Sequence, residues 1–233
     1  MMLDVVVRRY RNKKLLAKKF TMPRHAFSYS REFLDAVRKK LTDALAGLEE
    51  RRFPQEPKLT SALLGRLQGL EIRTQHGEYL RIDTTDVADR GRDSAEKRTG
   101  ADFVITATCA DNEKKIRKAI LFQMKEGSLR GLAPSKRKEL SEQVEKMKGI
   151  VNAPKIGGII RRNKQATIEV ASGNRFLKGD DFQVLDFPSY FNQRVITTLD
   201  GNTDSKTVDS LQDGDLPTIS ATVINEGRTK RHS

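Results

Sequence analysis

The sequence predicts a mixed α/β chain of the α+β kind, and three observations carry that expectation. Near the front, SREFLDAVRKKLTDALAGLEERR places Phe33, Leu34, Val37, Leu41, Leu45 and Leu48 at the spacing of an amphipathic helix. In the middle, the β-branched apolar runs ADFVITATC and IRKAILFQMK flank the turn ADNEKK and read as an antiparallel strand pair. A further helix from about Ser135, with Leu140, Val144 and Met147 on one face, leads to a second pair, KIGGIIRR and ATIEVAS, around NKQ.

The elements follow in order. A basic arm occupies residues 1–29, and Ser30 then caps the first helix with Glu32 in its first turn. FPQEP interrupts the pattern, and LTSALLGRLQGL reads as a shorter helix with Thr60 as its cap and Leu63, Leu64 and Leu67 turned inward. EIRTQHGEYLRIDTT gives two strands around a His76-Gly77 turn. DVADRGRDSAEKRTG, charged and without periodicity, reads as a loop, as does SLRGLAPS after the central strands. FQVLDFPSYFNQRVITTL is a mixed segment with room for a short helix, and residues 201–233, opening GNTDSKTVDSLQDGDLP, read as a polar, flexible tail. The organisation expected is therefore arm 1–29, domain 30–200 and tail 201–233.

Composition narrows the function. The formal net charge is +13, and residues 1–40 hold twelve Lys or Arg against Asp4, Glu32 and Asp35. Such an excess at one end calls for an anionic partner, nucleic acid being the commonest. Arg8, Arg9, Arg11, Lys13, Lys14, Lys18 and Lys19 are the arm residues expected to bind it. No run approaches the roughly 18 apolar residues of a membrane span, the opening apolar run is too short for a signal peptide, and a cytoplasmic location is expected. Cys109, the one cysteine, excludes an internal disulfide and a cysteine zinc cluster, and reads as a small buried hydrophobe before a nucleophile. His25, His76 and His232 are too scattered for a serine triad or a histidine metal site. GGII and SGNRFLKGDD lack the spacing of a phosphate-binding loop.

ILFQMK, residues 120–125, holds the chemistry. Alternation along a strand puts Gln123 and Lys125 on one face and Met124 on the other. In an antiparallel pair the start of the first strand lies beside the end of the second, so Asp102 should meet Gln123 and Lys125 at one sheet edge. A carboxylate and an amide oxygen are hard ligands suited to Mg²⁺, and a nearby ammonium can orient a water for attack on a phosphodiester.

GADFVI followed by ILFQMK resembles the PD-(D/E)xK nuclease superfamily, with its restriction-endonuclease-like mixed sheet flanked by helices, in the variant where glutamine replaces the second acid. QEPKLTSALLG is similar to the acidic first-helix motif of a bacterial subgroup linked with anti-phage defence, and LSEQVEKM to the helix after its lysine strand, so the likeness covers about residues 53–172. The resemblance implies a Mg²⁺-dependent endodeoxyribonuclease, with Mn²⁺ able to substitute. It makes Asp102 the main metal ligand, Gln123 a second ligand through its oxygen, Lys125 the catalytic lysine and Glu56 the helix acid; the Met124 carbonyl also faces the metal. Where the family often has a second acid beside that position, this chain has Pro57. Glu96 is a further candidate ligand, because glutamine removes one charge from the cage and Glu56 or Glu96 must restore it. Gln143 lies in the stripe between Leu140 and Val144, either turning its amide to the site as a supporting residue or standing as an ordinary boundary glutamine. DNA is the expected partner, with a homo-oligomer or regulatory protein beside it and no membrane; the alternative is a non-catalytic DNA-binding or scaffold protein on the same fold.

Overall fold

The computed structural model describes residues 26–46, 48, 56–86, 94–162, 165–179 and 181–226. The arm cations Arg8, Arg9, Arg11, Lys13, Lys14, Lys18 and Lys19 lie outside the described residues. Phe27, within the stretch read as arm, is buried in the domain core.

The first apolar pattern forms helix α1, Arg31–Ala46, and buries Phe33, Val37, Leu41 and Leu45. Ser30 caps it: its Oγ accepts from the Phe33 N–H at 3.1 Å and donates to Glu78 Oε2 at 2.5 Å. Glu78, 3% exposed, also accepts from the Ser30 N–H and from Thr74 Oγ1, which gives its buried carboxylate the partners that burial demands. Helix α2, Glu56–Leu67, starts four residues before Thr60, so Thr60 lies inside it and is no cap. The reason is Pro57: proline fits the first helical turn, whose N–H groups have no helical partner, so Glu56 and Pro57, read as part of an interruption, begin a helix.

Strands β1, Leu70–Arg73, and β2, Glu78–Thr85, form the expected hairpin, with Gly77 at φ +82° in the turn. The loop read before Asp102 contains a single-turn helix, α3, Ala95–Thr99, too short to show a period; Ser94 Oγ caps it by accepting from the Lys97 N–H. The central pair is β3, Phe103–Asp111, and β4, Lys115–Glu126, followed by α4, Pro134–Lys148. Next come β5, Lys155–Arg162, β6, Gln165–Ser172, and the short helix α5, Gly173–Leu177. The mixed segment resolves into β7, Leu185–Asp186, α6, Phe187–Tyr190, and a π-helical turn, Phe191–Val195.

The stretch read as a flexible tail departs furthest from expectation. It forms helix α7, Ser205–Gln212, capped by Asp204, and strand β8, Thr218–Asn225. β8 lies inside the sheet, antiparallel to β2 and parallel to β3. Its Ser and Thr residues dilute the apolar signal, yet Ile219, Ala221 and Val223 alternate and are buried.

Among the described residues the strands form one eight-stranded mixed sheet in the order β1-β2-β8-β3-β4-β5-β6-β7. β3 and β4 are antiparallel, whereas β4 and β5 are parallel, with α4 as the crossover between them. Helices cover both faces. On one, Phe33, Leu41, Leu63, Leu64, Phe187 and Phe191 pack with Ile105 and Phe122; on the other, Leu140, Val144, Met147, Phe176 and Val208 pack with Val104, Leu121 and Ile156. Burial on both faces explains why β4 is enclosed without a break from Lys118 to Lys125. No helix among the described residues is long and apolar enough to cross a membrane.

Candidate functional site

Asp102 is delivered by a turn that only glycine completes. Gly100 ends α3 at φ +75°, and a Cβ there would stand 2.4 Å from the Gln143 carbonyl oxygen on α4. The missing side chain therefore lets α4 press against the turn. Two residues later the Asp102 N–H donates to the Phe122 carbonyl at 2.8 Å, which extends the β3–β4 ladder and lays Asp102 beside Gln123.

The side chains then close on each other. Gln123 Nε2 donates to Asp102 Oδ1 and Oδ2, both at 2.9 Å, and lies 3.1 Å from the Met124 carbonyl oxygen. The Met124 N–H donates to Asp102 Oδ2 at 2.6 Å. Three oxygens, two from a carboxylate and one from the backbone, thus converge on one amide nitrogen. Gln123 is fully buried, and its Oε1 faces away from Asp102 with no hydrogen-bond partner. This orientation has a simple electrostatic cause, since turning the amide over would set its oxygen against three acceptors.

Lys125 lies on the same sheet face as Gln123 and is 7% exposed. Its Nζ donates to Glu139 Oε1 at 3.0 Å. Glu139 sits on α4 immediately before Leu140 and was not anticipated from the sequence; its signal was the four-residue spacing to Gln143, which puts both on one side of the helix. Gln143 turns inward, its Oε1 buried without a hydrogen-bond partner. Two amide oxygens without a donor therefore belong to residues flanking this edge, a rare state for buried polar atoms.

Glu96 is exposed on α3, its carbonyl engaged by the Gly100 N–H. Glu56 is the first residue of α2, and its side chain lies outside the described residues. Among the described residues no group of three His, Cys, Asp or Glu side chains could hold a metal ion. Hard oxygen donors are nonetheless present: the Asp102 carboxylate, the Met124 carbonyl and, with its amide turned over, Gln123 Oε1. Occupancy of the amide nitrogen's position by a cation would make that turn favourable, because the three converging oxygens would then face positive charge.

No family model, curated protein or solved structure matches the chain. The geometry of the Asp102 edge is what speaks to function.

Cys109 is buried with its thiol pushed up to about 11 by desolvation, and its Sγ lies 3.5 Å from the Ile196 carbonyl oxygen, properties of a packed hydrophobe and not of a nucleophile. His76 stands in the β1–β2 turn and not on β3 or β4, with its Nε2 3.5 Å from a Glu32 carboxylate oxygen.

Proposed function

We propose that the chain is a metal-dependent endonuclease that hydrolyses DNA phosphodiester bonds, in bacterial anti-phage defence. One observation carries the reading: the Asp102 carboxylate and the Met124 carbonyl converge on the position held by Gln123 Nε2, with Lys125 on the same face. The antiparallel strands β3 and β4, the crossover helix α4 and the parallel strand β5 follow one another in the chain, with α2 earlier, before β1, β2 and α3, and this order supports the same reading.

Mg²⁺, with Mn²⁺ as substitute, fits this donor set. Asp102 would hold it with the Met124 carbonyl and Gln123 Oε1, and Glu56 or Glu96 would supply the further carboxylate that a glutamine-containing cage needs. When bound, the ion stabilises negative charge developing at phosphorus. The chain's own residues do the rest. Lys125 presents its ammonium to the scissile phosphate and orients the attacking water. A bond forms between that water's oxygen and phosphorus, the bond from phosphorus to the leaving deoxyribose oxygen breaks, and the water's proton passes to solvent or the leaving oxygen. Gln143 supports the site from the helix side.

Plasmid cleavage with Mg²⁺ and with EDTA tests the proposal. Asp102→Ala and Lys125→Ala should each slow cutting on the order of a hundredfold or more, and EDTA should stop it. Variants that cut as fast as the parent would refute it. The amide nitrogen that now satisfies Asp102 favours one second reading, a DNA-binding protein that has lost catalysis on this scaffold. Duplex binding without turnover in any divalent metal would establish that alternative.

A further inference from the structure

We propose that Glu139 is a positioning residue that holds the Lys125 ammonium at the working edge of the sheet. The geometry is direct: Lys125 Nζ lies 3.0 Å from Glu139 Oε1, and the lysine side chain is 8% exposed where that of the glutamate is 58% exposed. A lysine stem with four methylenes reaches many points, and an ammonium near a surface tends to swing out to water. A carboxylate anchored beside it selects one of those points.

The backbone that carries this carboxylate is held by packing. Leu140, the next residue, is fully buried with Val144 and Met147, so the turn of α4 that carries Glu139 is fixed against β4. The same helix presses the Gln143 backbone onto Gly100, two residues before Asp102. Asp102 and Lys125 are therefore located from one element, the first through the Gly100 contact and the second through Glu139.

The catalytic consequence rests on the nuclease reading above; the positioning itself does not. Misplacing a reacting group by about 1 Å can cost a hundredfold, and a swinging ammonium would be in place only part of the time. Glu139→Gln should lower kcat about tenfold with KM within twofold, and Glu139→Asp should recover part of the loss. In a Lys125→Met background, Glu139→Gln should leave the residual rate unchanged. A second measurement needs no activity: an ion-paired lysine ammonium gives a sharp proton–nitrogen correlation peak, which Lys125→Met identifies by its loss. Glu139→Gln should broaden and weaken that peak in the full chain.

An unchanged peak and kcat in Glu139→Gln would overturn the proposal, as would a Glu139→Gln effect of equal size with and without Lys125. A parent protein that cuts no DNA but whose ammonium peak weakens on Glu139→Gln would leave the positioning intact and remove the nuclease reading instead.

Discussion

Lys118 shares a strand with Gln123 and Lys125, but its odd offset from them sends its side chain to the other face of the sheet, where it is 1% exposed. Its Nζ donates to the Arg194 carbonyl at 3.0 Å, and desolvation pulls the ammonium down to about 8 from 10.5, opposed by Cys109 and Asp200 and aided by Lys155. The cost of charging it is present in full below pH 8, where both folded and unfolded chains carry the proton. Between about 8 and 10.5 the folded chain has shed that proton and the unfolded chain has not, so stability from this group rises with pH through that window. Lys118→Met should accordingly stabilise the fold at pH 7 by on the order of 1 to 3 kcal/mol and flatten the rise, as read from urea unfolding at pH 7 and pH 9.5. The Arg194 carbonyl would keep a partner, since the Asp200 N–H also reaches it at 3.2 Å. A loss of stability at pH 7 would mean that the lysine's hydrogen bond outweighs its desolvation.

At the scale of elements, the contact of α4 with the Gly100 turn joins fold to site. Gly100→Ala forces a side chain into a left-handed conformation and within 2.4 Å of a helix carbonyl, so it should destabilise by about 2 to 4 kcal/mol and lower metal-dependent cleavage more than a distant substitution of equal cost. Thermal unfolding alongside a cleavage assay compares the two. Much of this architecture was legible in sequence. Leu140, Val144 and Met147 announced α4, and the β-branched run before the ADNEKK turn announced β3, because long periodic segments carry a strong signal. Asp102 and Gln123 could be placed together because antiparallel pairing follows from a short turn. Other features were hidden for physical reasons. Pro57 looked like a breaker because its tolerance depends on standing in the first turn, which local composition does not reveal. The direction of the Gln123 amide depends on three oxygens brought together by pairing, and the Lys125–Glu139 contact depends on how far α4 leans over β4; neither is a property of spacing.

For the whole molecule, charge and topology set the expectations. Under the proposed function, a net +13 with cations massed in residues 1–40 should make DNA binding depend steeply on salt. Replacing Arg8, Arg9, Arg11, Lys13, Lys14, Lys18 and Lys19 by Gln should flatten the slope of log affinity against log salt. The change should be about 0.9 for each phosphate that the arm no longer neutralises, read by fluorescence anisotropy between about 50 and 200 mM salt. An unchanged slope would move the DNA-binding surface elsewhere on the protein.

The position of β8 between β2 and β3 bears on how the protein is made. During synthesis the β1–β2 hairpin and the strands from β3 to β7 leave the ribosome well before residues 218–225 do, so both β2 and β3 must wait with a bare edge. Bare edges invite chaperones or aggregation, and such distant pairing slows folding. A nascent chain stalled before Thr218 should therefore bind a holdase and yield to protease, and it could assemble no complete sheet around Asp102 until its last strand arrives. Completion of the sheet would then be timed by the order of translation alone.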